Sequence, residues 1–145
     1  MSAPKPAVTS MPHRVGFYQT DAMGIMHHAQ YVNVLESARV AWLEEHDLPY
    51  THYVDSGLHF AVTRVDVQYR RAARFDDRLD VRVWIEWVRG ASLGIAYAIL
   101  RSGETLATAR TEHAMVDNTG RPLRIPRERR EALAARAGTL EGFEP

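Results

Sequence analysis

A carboxylate, a turn-forming glycine and two histidines follow one another closely at Asp21, Gly24, His27 and His28. They lie in the segment FYQTDAMGIMHHAQYVNVLESAR, whose pattern predicts a strand, a tight turn and then an amphipathic helix. The first backbone N–H groups of a helix lack intrahelical partners and the macrodipole is positive there, so an oxyanion would be stabilised at the helix entrance. A carboxylate beside that entrance could attack a carbonyl carbon or activate a water molecule.

Each of these residues also has a structural interpretation. Asp21 could cap the turn or the helix, as aspartate does at many such junctions. Adjacent histidines are poorly placed to converge on one ion, so we predict no metal site and interpret His27 as a neighbour of the site or a packed residue. Glu36 follows His28 by about two helical turns, which makes it the second candidate carboxylate. Its alternative role is an i, i+3 ion pair with Arg39.

Hydrophobic periodicity predicts the helices that must position these residues. Apolar residues at helical spacing predict one long helix from His28 to about His46. Pro49 then breaks it, because proline restricts the preceding residue and cannot donate a backbone hydrogen bond. Near the end of the chain a short helix is predicted from Pro126 to Ala137.

After Gly57 the apolar residues alternate, which predicts four strands. The first changes phase near Thr63 and Arg64, so we expect a long strand with a bulge there. The other three are predicted at residues 79–87, 93–99 and 105–116. One face of the strand at 93–99 carries the small residues Gly94, Ala96 and Ala98, and we expect the long helix to lie close on that smooth face.

Length and composition limit the function. A chain of 145 residues predicts a single domain, which we place at residues 12–137 between a flexible lead-in at 1–11 and a tail at 138–145. The zero net charge argues against nucleic acid as a partner, and no apolar run approaches the roughly 18 residues of a membrane span. The absence of cysteine excludes disulfides and a thiolate nucleophile. The chain start lacks a hydrophobic signal region, which predicts a cytoplasmic location.

Short turns between successive strands imply antiparallel pairing, and a long helix before them predicts an α+β fold. Within this pattern the sequence resembles the hotdog-fold acyl-CoA thioesterases, in particular the 4-hydroxybenzoyl-CoA thioesterase group and its relatives associated with the bacterial Tol-Pal system. The resemblance runs from about Val15 to Arg127. The matching residues are Phe17, Thr20, Asp21, Gly24, His28, Tyr31, Glu36, Arg39, Tyr69, Phe75, Asp76, Asp77, Arg89, Gly90, Ala91, Ser92 and 117–122.

The resemblance implies a hotdog fold, with a five-stranded antiparallel sheet wrapped around one long helix and a short C-terminal helix. It implies hydrolysis of an acyl-CoA, with Asp21 as nucleophile or general base, Gly24 in the turn and the backbone N–H of His28 as the oxyanion donor. It places Arg89, Gly90 and Ser92 near the coenzyme A, which is part of the substrate, so no cofactor is expected. It also implies a homodimer that commonly assembles into a homotetramer.

Three functional classes fit the sequence. The first is an acyl-CoA thioesterase for a small aliphatic or aromatic acyl group. The second is a hydratase or dehydratase of acyl thioesters on the same fold, in which a histidine and a carboxylate move protons without releasing a thiol. The third is a non-catalytic module that binds acyl-CoA, because a fold alone does not establish chemistry. In a related branch of hotdog thioesterases a helix glutamate at the spacing of Glu36 is the catalytic carboxylate.

Overall fold

A computed structural model describes residues 5–143 of the chain. In chain order its elements are β1 (Thr9–Arg14), a single 3-10 turn (Phe17–Gln19), α1 (His28–His46), α2 (Tyr50–Asp55), β2 (His59–Tyr69), β3 (Arg78–Val88), β4 (Ser92–Arg101), β5 (Glu104–Val116) and α3 (Arg127–Ala134).

The five strands form one antiparallel sheet in the order β1-β3-β4-β5-β2. The long helix α1 covers one face of this sheet, and the short helix α3 follows the last strand. The predicted α+β class, with a five-stranded antiparallel sheet, one long helix and a short C-terminal helix, is therefore confirmed. Strands β1 and β2 are the two edges, since each is hydrogen-bonded to one neighbour only.

Helix α1 begins at the predicted residue and ends at His46, and its apolar stripe faces the sheet. The buried residues of this stripe are Tyr31, Val34, Leu35, Ala38, Trp42 and Leu43. They pack in one cluster with large apolar side chains of β3 and β4, among them Val83, Ile85, Leu93, Ile95 and Tyr97. Because alternate residues of a strand point to opposite faces, this contact decides which face of each strand is the inner one.

The prediction that the small residues of β4 face the long helix is wrong. Ala96, Ala98 and Leu100 lie on the outer face of the sheet, in a second cluster with Trp84. The inner face instead carries the large side chains, because they fill the space between helix and sheet that small residues would leave empty. The outer cluster is covered by Leu140 and Phe143 of the C-terminal segment.

Both ends of the domain depart from the predicted boundaries. β1 begins at Thr9, inside the predicted lead-in, because residues 9–14 pair with β3 from Val83 to Arg78. The strand predicted immediately before Asp21 is thus earlier in the chain, and a 3-10 turn takes its place. Gly138 donates its N–H to the Ile85 carbonyl at 3.0 Å, so the predicted tail packs on the sheet over its described part. Residues 1–4 and 144–145 lie outside the described residues.

Two other details of the strands and helices can be compared with the sequence. The bulge predicted near Thr63 and Arg64 is confirmed, since the register of β2 with β5 shifts between Val62 and Arg64. The short helix α2 was not predicted. It begins directly after Pro49, whose extended backbone serves as its N-cap.

Removing the side chain of Leu35 should destabilise the fold far more than the same change on the solvent side of α1. Leu35 is 0% exposed, and Leu→Ala changes in protein cores cost about 2–5 kcal/mol. Val32 lies on the same helix and is 43% exposed, so Val32→Ala should cost within about 0.5 kcal/mol. Urea unfolding of Leu35→Ala and Val32→Ala measures both. Equal losses would contradict the packing of α1 described above.

Candidate active site

The loop before α1 holds Asp21 in a tight turn. The Asp21 carboxylate oxygen Oδ1 accepts from the N–H of Met23 at 2.8 Å, and the Asp21 carbonyl accepts from the N–H of Gly24 at 3.0 Å. Gly24 has a φ of 78°, a left-handed conformation that favours glycine. No atom lies within 4 Å of where a side chain at Gly24 would begin, so glycine is needed there for its backbone and not for space. Asp21 therefore does cap this turn, with its second carboxylate oxygen left over.

The entrance of α1 is built by two stacked histidines. His27 is the N-cap residue, and its ring nitrogen Nδ1 accepts from the N–H of Ala29 at 3.1 Å. The rings of His27 and His28 stack with their centroids 4.1 Å apart. The N–H of Gln30 is satisfied by the His27 carbonyl, but among residues 5–143 the N–H of His28 has no acceptor. The helix thus offers one unused backbone donor at its first residue.

A buried glutamine, which was not among the predicted site residues, anchors this loop. Gln19 is 3% exposed, and its side-chain oxygen Oε1 lies 3.0 Å from the N–H of Gly16 and 2.9 Å from Nε2 of His13. Its carbonyl accepts from the N–H of His27 at 2.8 Å. Gln19 therefore joins β1 to the N-cap of α1. No short motif marks such a residue, since its partners are mostly backbone atoms.

Asp21 and His28 line one open cavity of ≈ 320 Å³. We call it the Asp21 cavity, and its lining residues are Asp21, Ile25, Met26, His28, Tyr31, Tyr69, Arg70, Arg71 and Ala72. Tyr69, at the end of β2, packs edge-to-face on Tyr31 with ring centroids 5.0 Å apart, and its hydroxyl lies 3.5 Å from the His28 carbonyl oxygen. The structure therefore brings together the turn carboxylate, the free helix N–H and the end of an edge strand.

The sequence did not identify Arg70 and Arg71 as site residues, yet both line the Asp21 cavity. They follow β2 directly, and Arg71 is 3.7 Å from the Glu104 carboxylate. Surface arginines are common. Arg70 and Arg71 stand out from the other arginines because they directly follow Tyr69, which lines the same cavity.

Glu36 lies in a different place from Asp21. It lines a second, more enclosed cavity of ≈ 170 Å³ between α1 and the sheet, which we call the Arg39 cavity. The residues lining the Arg39 cavity are Glu36, Arg39, Val40, Trp42, Leu43, Tyr50, Phe60, Val83, Ile85, Leu93, Ile95 and His113. The ion pair between Glu36 and Arg39 that the spacing suggested is absent. Within the described part of the chain no carboxylate lies within 4.0 Å of the Arg39 guanidinium.

A directional chain of hydrogen bonds lines the inner wall of the Arg39 cavity. The Phe60 carbonyl can only accept, so Nδ1 of His113, 3.4 Å away, carries the proton of the ring. Nε2 then accepts from the Thr111 hydroxyl at 2.8 Å, and Thr111 accepts from the Tyr97 hydroxyl at 2.6 Å. The guanidinium of Arg39 acts on Tyr97 through its positive charge. Burial raises the pKa of Tyr97, while burial and the Arg39 charge lower the pKa of His113 to about 4.

The loop predicted to contact coenzyme A is far from Asp21 within one chain. Arg89, Gly90 and Ser92 lie at the turn between β3 and β4, whereas the Asp21 loop touches the start of β3 through the bridge of Ile25 with Arg74. A strand of eleven residues separates the two ends by roughly 35 Å. At the loop itself, the Arg89 guanidinium lies 4.4 Å from the Trp87 ring centroid. A side chain at Gly90 would begin 3.0 Å from the guanidinium of Arg124.

Residues 5–143 contain no group of three or more histidine, aspartate or glutamate side chains that could hold a metal ion. The same residues contain no helix that is long and apolar enough to cross a membrane. The polar side chains that line the two cavities are carboxylates, the imidazoles of His28 and His113, tyrosines and arginines.

A five-stranded antiparallel sheet with one long helix on its inner face is the hotdog architecture. The family model of the thioesterase-like superfamily matches residues 15–135, and the chain belongs to this superfamily. The predictions of the family and of a thioesterase enzyme are confirmed.

Individual relatives agree with this assignment. The chain is 31% identical to the acyl-CoA thioesterase YbgC of Haemophilus influenzae, over 86% of this chain and 93% of that protein. It is 35% identical to the acyl-CoA thioester hydrolase YbgC of Escherichia coli O6:H1, over 66% of this chain and 71% of that protein. Among solved structures, the hypothetical protein TT1821 from Thermus thermophilus superposes with a TM-score of 0.86 at 31% identity, covering 92% of this chain and 100% of that one.

Acidification should weaken the fold through His113. Because the pKa of His113 is lowered to about 4, the unfolded chain takes up a proton between about pH 6.5 and pH 4 that the folded chain does not. This contribution to stability is complete above about pH 6.5 and is lost as the pH falls toward 4, by on the order of 3 kcal/mol over the whole window. Urea unfolding at about pH 5 and pH 7 should show the loss in the wild type and much less of it in His113→Gln. The same pH dependence in both proteins would mean that His113 is not buried as described.

Proposed function

We propose that the chain hydrolyses acyl-CoA thioesters at the Asp21 cavity. The observation that carries this proposal is that Asp21 and His28, whose backbone N–H is unused, line the same cavity at the start of α1. Hydrolysis of a thioester passes through an oxyanion and needs a carboxylate or a base beside it. The relatives in Haemophilus influenzae and Escherichia coli are named as acyl-CoA thioesterases, which supports coenzyme A as the thiol.

Two mechanisms use the same atoms. As a general base, Asp21 takes a proton from water while the water oxygen attacks the thioester carbon, and the carbonyl oxygen becomes an oxyanion held by the N–H of His28. When this intermediate collapses, the C–S bond breaks, and the proton passes to the departing thiolate. As a nucleophile, Asp21 instead displaces the thiolate and forms a mixed anhydride, which water then hydrolyses to the free acid. Both mechanisms consume one water and release one acid and one thiol.

The hydratase alternative would need an imidazole free to move protons beside a carboxylate. Glu36 and His113 do line the same cavity, but both ring nitrogens of His113 have partners, the Phe60 carbonyl and the Thr111 hydroxyl. An imidazole held in this way has no nitrogen available for a substrate. The Glu36–His113 pair is therefore poorly arranged for hydratase chemistry. Asp21 and His28 line the other cavity together, and release of the thiol is what distinguishes hydrolysis there from proton transfer.

We propose further that two chains pair through β2. This strand is hydrogen-bonded on one side only, and its exposed apolar residues are Val62, Val65 and Tyr69, at 47%, 42% and 53% exposure. A long exposed apolar edge strand readily pairs with another chain. A two-fold axis near Arg64 would set Tyr69 of one chain opposite the partner's His59. The homotetramer and the cytoplasmic location stay predictions from the sequence.

Such pairing would bring together the two cavities and the predicted coenzyme A loop, which lie at opposite ends of β2 in a single chain. The Asp21 cavity lies at the Tyr69 end of β2, and the Arg39 cavity lies at the Phe60 end. The loop with Arg89, Gly90 and Ser92 is at the Phe60 end too, because β4 begins there. In the paired dimer, the Asp21 cavity of one chain would adjoin the Arg39 cavity and the predicted coenzyme A loop of its partner.

Replacing Asp21 by asparagine should abolish most of the thioesterase activity. The amide neither attacks nor takes a proton, and such groups contribute about 10²–10⁴-fold to the rate. Release of coenzyme A from a panel of aliphatic and aromatic acyl-CoAs can be followed with a thiol-reactive dye, since the chain has no cysteine. Asp55→Asn, on the exposed side of α2, is the matched control and should keep the wild-type rate.

The same assay applied to Glu36→Gln identifies the catalytic carboxylate. Loss of activity in Asp21→Asn but not in Glu36→Gln supports the proposal. If Glu36→Gln is inactive and Asp21→Asn is active, the carboxylate belongs to the Arg39 cavity instead. If no acyl-CoA is cleaved by the wild type, hydrolysis is not the function.

A charge in the middle of β2 should prevent pairing of the chains. Val65→Asp would place a carboxylate against its copy near the two-fold axis, where like charges repel and lose solvation. Light scattering at micromolar concentration should give a dimer or tetramer for the wild type and a monomer for Val65→Asp. Val54→Asp, at an exposed position of α2, should keep the wild-type mass. A monomeric wild type would contradict the proposed pairing.

A further inference from the structure

The Arg39 cavity holds a positive charge that the protein does not neutralise. Arg39 is half-buried, and nine of the other residues that line the cavity are apolar or aromatic. Among the residues described, no carboxylate is within 4.0 Å of its guanidinium, and Glu36, one helical turn earlier, is exposed to solvent. A charge taken partly out of water is unfavourable unless an opposite charge accompanies it. Without a ligand, the cavity therefore has no negative charge close enough to balance Arg39.

The polar groups around Arg39 do not neutralise it. The Tyr97 hydroxyl donates a hydrogen bond to Thr111, and the Thr111 hydroxyl donates one to Nε2 of His113, so the Tyr97 oxygen keeps a lone pair that Arg39 can use. His113 is uncharged at neutral pH, because burial and the Arg39 charge lower its pKa to about 4. Arginine carries five guanidinium N–H groups, more than one phenolic oxygen can accept, so most of them are available to a ligand.

The rest of the cavity fits a short hydrocarbon. Its volume is ≈ 170 Å³, and an engineered protein cavity of about 150 Å³ binds benzene. The walls opposite Arg39 come from apolar side chains such as Phe60, Val83 and Leu93. A ligand that fills this space and ends at Arg39 would have a small apolar body and an anionic end. Arginine matches a carboxylate with two parallel hydrogen bonds, which gives direction as well as charge.

We propose that the Arg39 cavity binds the far end of an acyl group that carries a carboxylate, with Arg39 as the residue that selects it. This substrate class rests on the proposed function, since the acyl group would extend from the Asp21 cavity of one chain into the Arg39 cavity of its paired partner. The hydrocarbon part lies among the apolar walls, and the carboxylate completes the charge of Arg39. The Tyr97–Thr111–His113 chain is uncharged and leaves the charge of Arg39 for the ligand to neutralise.

Two thioesters of equal length test this selection. Glutaryl-CoA and pentanoyl-CoA have the same number of acyl carbons and differ in the terminal carboxylate. We expect the wild type to favour glutaryl-CoA in kcat/KM by about tenfold or more, since a lost ion pair to a partly buried arginine costs at least that factor. Arg39→Met should bring this ratio to one or below, and Arg39→Lys should retain part of it. Arg127→Met, an exposed arginine on α3, should keep the wild-type ratio.

Two results would overturn the proposal while hydrolysis itself stands. One is a wild type that prefers pentanoyl-CoA. The other is an Arg39→Met variant that loses both substrates equally. In that case Arg39 serves a part that the two substrates share, and a weaker inhibition by free coenzyme A in Arg39→Met would identify the phosphates as that part.

Direct binding separates this inference from the proposed function. NMR titration of the ring signals of His113 should show binding of glutarate and much weaker binding of pentanoate, and Arg39→Met should remove the difference. If the wild type releases no coenzyme A but glutarate binds in this way, the hydrolase proposal fails and the carboxylate site stands. If coenzyme A is released but glutarate leaves the His113 signals unchanged, the carboxylate site is wrong.

Discussion

Burial of the apolar stripe of α1 against β3 and β4 decides where the functional groups of this protein lie. Side chains such as Leu35 and Trp42 are almost entirely removed from water, and each contributes about 1.5–3 kcal/mol by that burial. The indole N–H of Trp42 also donates to the Ala7 carbonyl at 3.0 Å, which ties the chain before β1 to the same helix. Because the helix is fixed on the sheet, its N-terminus lies beside the end of β2, where the Asp21 cavity is. Its middle lies over β3 and β4, where the Arg39 cavity is.

The helix entrance is rigid for a different reason, which is hydrogen bonding to backbone atoms. Gln19 links Gly16, His13 and His27, and Gly24 accepts a conformation that other residues adopt poorly. Because Asp21 lies between these anchors, its carboxylate needs no charged neighbour to hold its position. In the proposed hydrolysis, a carboxylate that is already in position would avoid the reorganisation that water would need.

The sequence predicted those features that depend on periodicity and missed those that depend on partners. The start of α1 and the phase change in β2 follow from spacing alone, and the structure contains both. Asp21 and His28 were chosen with the help of the family resemblance, and they line one cavity, while their catalytic roles stay predictions. The inner face of β4 was assigned wrongly, because alternation reveals two faces without saying which one meets the helix. The sequence also could not show that Glu36 and Arg39 form no ion pair. Their spacing permits one, but the side chains do not meet when the helix packs on the sheet.

The extra residue in β2 has a consequence for how the two cavities can evolve. An odd number of positions separates Phe60 from Tyr69, so a regular strand would point these side chains to opposite faces of the sheet. The bulge restores a common direction, and both side chains meet the α1 side, Phe60 at one cavity and Tyr69 at the other. Deletion of a single residue within the bulge would therefore move the side chains at one end of the strand to the opposite face of the sheet and leave those at the other end in place. The number of residues in the edge strand, more than the identity of any one of them, keeps the two cavities on the same side of the sheet.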